Sequence, residues 1–170
     1  MKTIPIFFTA GDPSLTCLSA ALISVKNRAS MRYKYHIHIL SYNLSSESVR
    51  ALLSIEDRNF SISFAPVNEA DVRDTLSMTK VISLLFPEYD KCICLHPGLV
   101  AREDISELWE EPLGRRLFGA VGGRIDSGAV LVNLREARQV NTSEVISAGN
   151  ILWLDPCWDT VSDGAFGLYA

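Results

Sequence analysis

Cys92, Cys94 and His96 stand at alternate positions of the run KCICLH. On a strand, all three side chains share one face. Two thiols and an imidazole suit softer divalent ions, so the row is a possible soft-metal face. Its geometry opposes that use. Three side chains along a straight strand span roughly 13 Å, and zinc ligands come from a tight turn plus a second element. The plainer account is two core thiols followed by a loop histidine. Several other residues invite the same weighing. Asp126 precedes Ser127-Gly128, where it can serve as an acid or ligand in a cleft, or as the acceptor of an Asx turn. Asp12 can contact a ligand or cap the helix that Pro13 opens. Asp155-Pro156 reads as a turn start, with Trp158 packing nearby. His36 and His38 flank Ile37 on one side of a strand and read as a satisfied or edge pair.

These residues need elements to hold them. Thr3 to Thr9, Tyr35 to Leu40, Phe60 to Phe64, Lys91 to Leu95, Phe118 to Val121, Ala129 to Asn133 and Ile151 to Leu154 are apolar or alternating runs, and are predicted strands. Helices are predicted after Asp12-Pro13, with Leu15, Leu18, Leu22 and Val25 at helical spacing, and after Ser45. A longer helix is predicted over Asp71 to Phe86, stopped by Pro87, and a short one at Asp104 to Trp109. Leu134 to Gln139 and Ser143 to Ser147 read as short helices, and Asp163 to Ala170 as a loose tail. Strands and helices alternate through the first hundred residues, which predicts a mostly parallel sheet with helices on both faces. No linker, repeat or low-complexity tract interrupts the chain, so residues 1–170 are expected to form one domain.

The bulk composition excludes several classes. With 170 residues, 48% of them hydrophobic, the chain can bury one substantial core. Its net charge of -4, with Lys and Arg scattered, argues against nucleic acid. No apolar run approaches a membrane span. The start MKTIPIFFTAGD lacks the apolar region and cleavage site of a signal peptide, and the expected location is the cytoplasm. Three of the four cysteines sit in apolar surroundings, as reduced core thiols do in a reducing compartment.

Several segments together resemble glycosyltransferase family 8: IPIFFTAGD, YKYHIHILSYNLS, NFSISF, LFPEYDKCICLHPGLVAREDISELW, GAVGGRIDSGAVLVNLREAR and ILWLDPCWD. They occur in the family's order and cover roughly positions 3 to 159. The resemblance implies the GT-A fold, a doubly wound Rossmann-like sheet, here shortened at the C-terminus. It also implies a retaining nucleotide-sugar transferase. In the family, the fourth strand ends in Leu-Asp-x-Asp, and the two carboxylates hold a divalent cation, usually manganese, that neutralises the donor diphosphate. Here the corresponding residues are Leu95-His96-Pro97-Gly98. Gly98 has no side chain, and neutral His96 brings no negative charge where a hard cation wants oxygen. A Lewis acid contributes several kcal/mol to such a transition state, so its loss is expected to cost several orders of magnitude in rate.

Other positions drift the same way. Where the family reads Ala-Asp-Asp-Asn-Tyr, this chain reads Ala10-Gly11-Asp12-Pro13-Ser14. Ala10 and Asp12 remain as nucleotide-binding candidates, without the ring that stacks on uracil. The family's Tyr-Arg pair corresponds to the Met78-Thr79-Lys80 neighbourhood, which makes Lys80 the third nucleotide-binding candidate. Phe-Asn-Ser-Gly appears as Ile125-Asp126-Ser127-Gly128, which leaves Asp126 as the catalytic candidate and His96 as the metal candidate. No Asp-Gln motif occurs in Glu136 to Asn150, and the chain ends before the family's His-x-x-Gly-x-Lys-Pro region. The expectation is therefore an inactive or nearly inactive transferase homologue with a binding or scaffold role, whose exposed apolar surface favours a homo-oligomer or pairing with an active homologue. The alternative is an active hexosyltransferase using a UDP-sugar, with an altered site built from His96, Asp126 and Asp12.

Overall fold

A computed structural model describes residues 1–122, 124–126, 128–140 and 148–158. The described residues form a seven-stranded sheet in the order β3-β2-β1-β4-β6-β5-β7. The strands are β1 (Thr3–Ala10), β2 (Lys34–Ser41), β3 (Phe60–Pro66), β4 (Lys91–Leu95), β5 (Phe118–Ala120), β6 (Ala129–Asn133) and β7 (Ile151–Trp153). Pairing is parallel from β3 to β4. It is antiparallel on both sides of β6 and parallel again between β5 and β7. The predicted helix at Ser143 to Ser147 and the tail from Asp163 lie outside the described residues, as does Ser127.

Alternation along the strands divides the core in two. Ile4, Ile6 and Phe8 of β1 join Ile93 and Leu95 of β4 on one face. There they meet α1 (Leu15–Arg28), whose Leu18, Ala21, Leu22 and Val25 recur at i, i+3, i+4 and i+7 and are buried. Phe7 joins Cys92 and Cys94 on the other face, against Met78 and Ile82 of α3 (Thr75–Leu85). The two thiols are 4.0 Å apart. Crossovers on both faces are what a parallel sheet requires.

Local chemistry sets the helix ends. Ser45 accepts from the Ser48 amide at 3.2 Å and caps α2 (Ser46–Leu53). Asp104 accepts from the Ser106 amide at 2.9 Å and caps α4 (Ile105–Glu110). The Lys91 ammonium donates to the carbonyls of Trp109 and Glu111 at 2.6 and 3.0 Å, closing the other end of α4. Lys2 and Lys91 hold their ammonium nitrogens 5.6 and 5.0 Å from the buried Trp109 ring.

Two helix starts depart from the sequence reading. Asp12 does not cap the first helix. It lies inside a 3-10 turn, Asp12–Ser14, that precedes α1, and its carboxylate instead accepts from the Ser45 amide at 2.9 Å and the Ser48 hydroxyl at 2.7 Å. The helix expected from Asp71 breaks into a 3-10 turn, Glu69–Val72, and α3. Asp74 is extended (φ −136°) and accepts from the Ser77 amide at 2.8 Å, so the α-helix begins only after it. The short helix expected over Leu134 to Gln139 is one turn, α5 (Leu134–Ala137).

The histidine pair on β2 is satisfied internally. His38 is 4% exposed and stacks on Phe7, with ring centroids 4.7 Å apart. Its Nδ1 lies 2.8 Å from Ser63 Oγ and its Nε2 3.0 Å from the Tyr89 hydroxyl. His36 Nε2 lies 3.1 Å from the same serine. Asp155 accepts from the Cys157 amide at 2.9 Å, a turn that seats Trp158 in the core. Among the described residues, no helix is long and apolar enough to cross a membrane.

Candidate functional site

A cleft opens beyond the carboxyl ends of β1 and β4. There the strand order reverses, which is the general ligand position in open α/β sheets. It encloses about 380 Å³. Its floor is Thr9 of β1, Cys94 and Leu95 of β4 and Val130 of β6, and its walls are the approach to α3 and the loop before β6.

β4 delivers His96 into this cleft by parity. Cys92 and Cys94 point to the α3 face, so His96, two residues further on, continues that side. The ladder with β6 extends one step past the strand, since the His96 amide donates to the Gly128 carbonyl at 2.9 Å. The turn then closes on its own histidine. The Gly98 amide donates to His96 Nδ1 at 3.0 Å, and the Leu99 amide to the His96 carbonyl at 3.0 Å. An accepting Nδ1 leaves the ring proton on Nε2. The ring is exposed at the mouth of the cleft, yet the protein behind it penalises the charged form and lowers its pKa. A Cβ on residue 98 would lie 3.2 Å from that Nδ1, so glycine gives the ring its room.

The opposite wall is built on the first turn of α3. Asp74 accepts from the Ser77 amide and hydroxyl. Asp126 reaches over from the loop before β6 to accept from the Thr75 amide at 3.2 Å, and the Thr75 hydroxyl donates to the Ile125 carbonyl at 2.8 Å. Arg73 stands beside them, exposed, with no acidic partner among the described residues.

His96 and Asp126 thus share one cleft, across 30 residues of sequence. Ala10 lies fully buried one residue past Thr9 and is not among the lining residues. Asp12 lies outside the lining too, with its carboxyl pKa lowered chiefly by the Ser45 amide and then by the Ser48 hydroxyl. Lys80 is exposed, two residues from the lining Met78, or about 200° around the helix. Sequence reasoning overlooked Arg73, Asp74 and Thr75. The available signal was the run Asp74-Thr75-Leu76-Ser77, an N-cap pattern that competes with Asp71.

The residues present do not fit a manganese ion. Among the described residues, no three His, Cys, Asp or Glu side chains gather closely enough to hold a metal. Of the two candidates, His96 uses Nδ1 to accept from Gly98, which leaves a proton on Nε2, and Asp126 accepts one bond from the Thr75 amide.

No protein-family model matches the chain, and no curated protein matches it. Solved structures do. The bifunctional glycosyltransferase WbbM aligns at a TM-score of 0.77 and 17% identity, over 91% of this chain and 39% of its own. The galactosyltransferase LgtC, solved with donor and acceptor sugar analogues, aligns at 0.72 and 19% identity, over 90% and 74%. Mouse xyloside xylosyltransferase 1 aligns at 0.67 and 18%, over 88% and 73%. This chain therefore spans well under half of WbbM and about three quarters of the other two. At these identities the likeness carries the fold alone, and that fold, a mixed and mostly parallel sheet wrapped by helices, is the GT-A-like α/β fold of glycosyltransferases.

Proposed function

We propose that the chain is a family 8-like glycosyltransferase-type domain that retains the binding cleft and does not carry out metal-dependent sugar transfer. One observation carries this reading: β4 ends in His96-Pro97-Gly98, with a ring folded back onto its own turn where transfer chemistry would need oxygen ligands. A cation would have to neutralise a leaving diphosphate, and no carboxylate pair at the strand end offers it a seat. The role left to the cleft is recognition, within one domain of 170 residues that works as a homo-oligomer or beside an active relative in the cytoplasm.

A second reading has its own observation. His96 and Asp126 line the same cleft, so an altered site using a UDP-sugar has two of its three residues in place. The third, Asp12, is tied to α2. Calorimetric titration with UDP, with and without manganese, followed by a UDP-hexose turnover assay, separates the two. Absence of manganese-dependent binding and turnover is expected. Manganese-dependent binding with turnover sinks the first reading.

A further inference from the structure

We infer that α3 carries a self-association face: two copies of the chain lay their α3 helices antiparallel, about a two-fold axis beside Leu84. This rests on the homo-oligomer proposed above and names its surface. Ser77, Lys80, Val81 and Leu84 recur at i, i+3, i+4 and i+7, so they share one side of the helix. Met78, Thr79 and Ile82 are buried, so that side turns away from the core. Leu84 is 81% exposed and Leu85 52%, with Val81 half-buried beside them. Along this ridge runs a groove of about 260 Å³, walled by Pro66, Val67 and Val81. A ridge and a groove on one surface are what an isologous contact needs, because Leu84 of each copy can enter the groove of the other.

Charge selects a second copy as the occupant. Lys80 stands one turn before Leu84, and Glu88 follows four residues after it, past Pro87. Both are exposed, and neither joins an ion pair among the described residues. Antiparallel pairing about Leu84 brings Lys80 of each copy toward Glu88 of the other, twice by symmetry. Parallel pairing would set like charges side by side. The adjoining sheet edge offers a partner strand little. β3 is the edge strand, yet its Phe60 amide donates to the Asp57 carboxylate at 3.0 Å and its Ile62 amide to the Glu56 carboxylate at 2.6 Å. Pro66 has no N–H to give. The contact is therefore one of side chains, not of a continued sheet. Its apolar part is small beside the roughly 800 Å² per partner of a standard interface, so the expected dissociation constant is about 100 μM.

Sedimentation velocity of the full chain tests this, over concentrations from about 10 μM to 1 mM. Wild type is expected to pass from monomer to dimer. Leu84→Glu, an exposed change that sets two carboxylates against each other at the axis, is expected to stay monomeric throughout. Lys80→Glu and Glu88→Lys should each weaken the dimer about tenfold, and the two together should restore it. Leu84→Cys, with Cys17 and Cys157 changed to serine, should link to its own copy under mild oxidation faster than Arg50→Cys on α2 in the same background. A dimer that survives Leu84→Glu overturns the inference and leaves the homo-oligomer standing on another surface. A double charge reversal no better than either single one overturns the antiparallel arrangement, as does equal linking at positions 84 and 50. A wild type that is monomeric at every concentration overturns both this face and the homo-oligomer beneath it, whereas the reading of the cleft is tested separately by manganese and UDP.

Discussion

His96 and Gly98 are coupled. Glycine at 98 makes room for the imidazole, and the imidazole accepts the glycine amide. Restoring one acid at a time therefore works against the turn. Gly98→Asp alone brings a Cβ to about 3.2 Å from Nδ1 and is expected to destabilise the protein by about 1 kcal/mol through crowding. His96→Asp with Gly98→Asp removes the obstructing ring and supplies two carboxylates at the strand end. Calorimetry with manganese should show no binding to wild type and micromolar-to-millimolar binding to the double variant. A double variant that still ignores manganese would mean that more than these two side chains separates this cleft from a metal site.

At the scale of the element, α3 is the support on which the cleft depends. Asp74 sets where it begins, and Asp74→Ala removes two hydrogen bonds to Ser77. The expected cost is about 1 kcal/mol, a fall of about 2–4 °C in Tm for a chain of this size. Asp74→Asn should lose a few tenths of that, and scanning calorimetry of the three proteins checks the order. This helix also marks where sequence reading stopped. The seven strands were legible because each is a short apolar or alternating run, as in Lys91 to Leu95 or Phe60 to Phe64. The start of α3 was not, because Asp71 and Asp74 are both acceptable caps and only the extended backbone at Asp74 decides between them. That three-residue difference hid Arg73, which a helix from Asp71 would have enclosed, and favoured Lys80, chosen for its charge although its neighbour Met78 faces the cleft. His96 and Asp126 were legible as departures from an expected motif. The bond that fixes Asp126 in their common cleft was not, since it comes from Thr75, 51 residues away in sequence.

The whole molecule carries a buried base. His38 is enclosed by Phe7, Phe86 and Tyr89, and burial first, then the neighbouring His36, pushes its pKa down to about 3. An unfolded histidine titrates near 6.5. Below that value the unfolded chain binds a proton that the folded protein refuses. Stability from this group is therefore full above pH 6.5 and is lost progressively as the pH falls from 6.5 toward 3. At pH 5 the loss is roughly 2 kcal/mol. Urea denaturation at pH 7 and pH 5 is expected to show that drop in wild type and a smaller one in His38→Gln. Equal drops would place the acid sensitivity elsewhere.

Trp109 lies where the beginning of the chain, its central strand and its fourth helix meet. Lys2, one residue before β1, and Lys91, at the head of β4, both bring an ammonium group to its ring. An indole's emission responds to nearby charge and to water. The residue is thus a native optical gauge of whether the first strand has docked beside the fourth. Partial detachment of the amino terminus would register there as a change of colour and brightness, before the strands farther out in the sheet had let go.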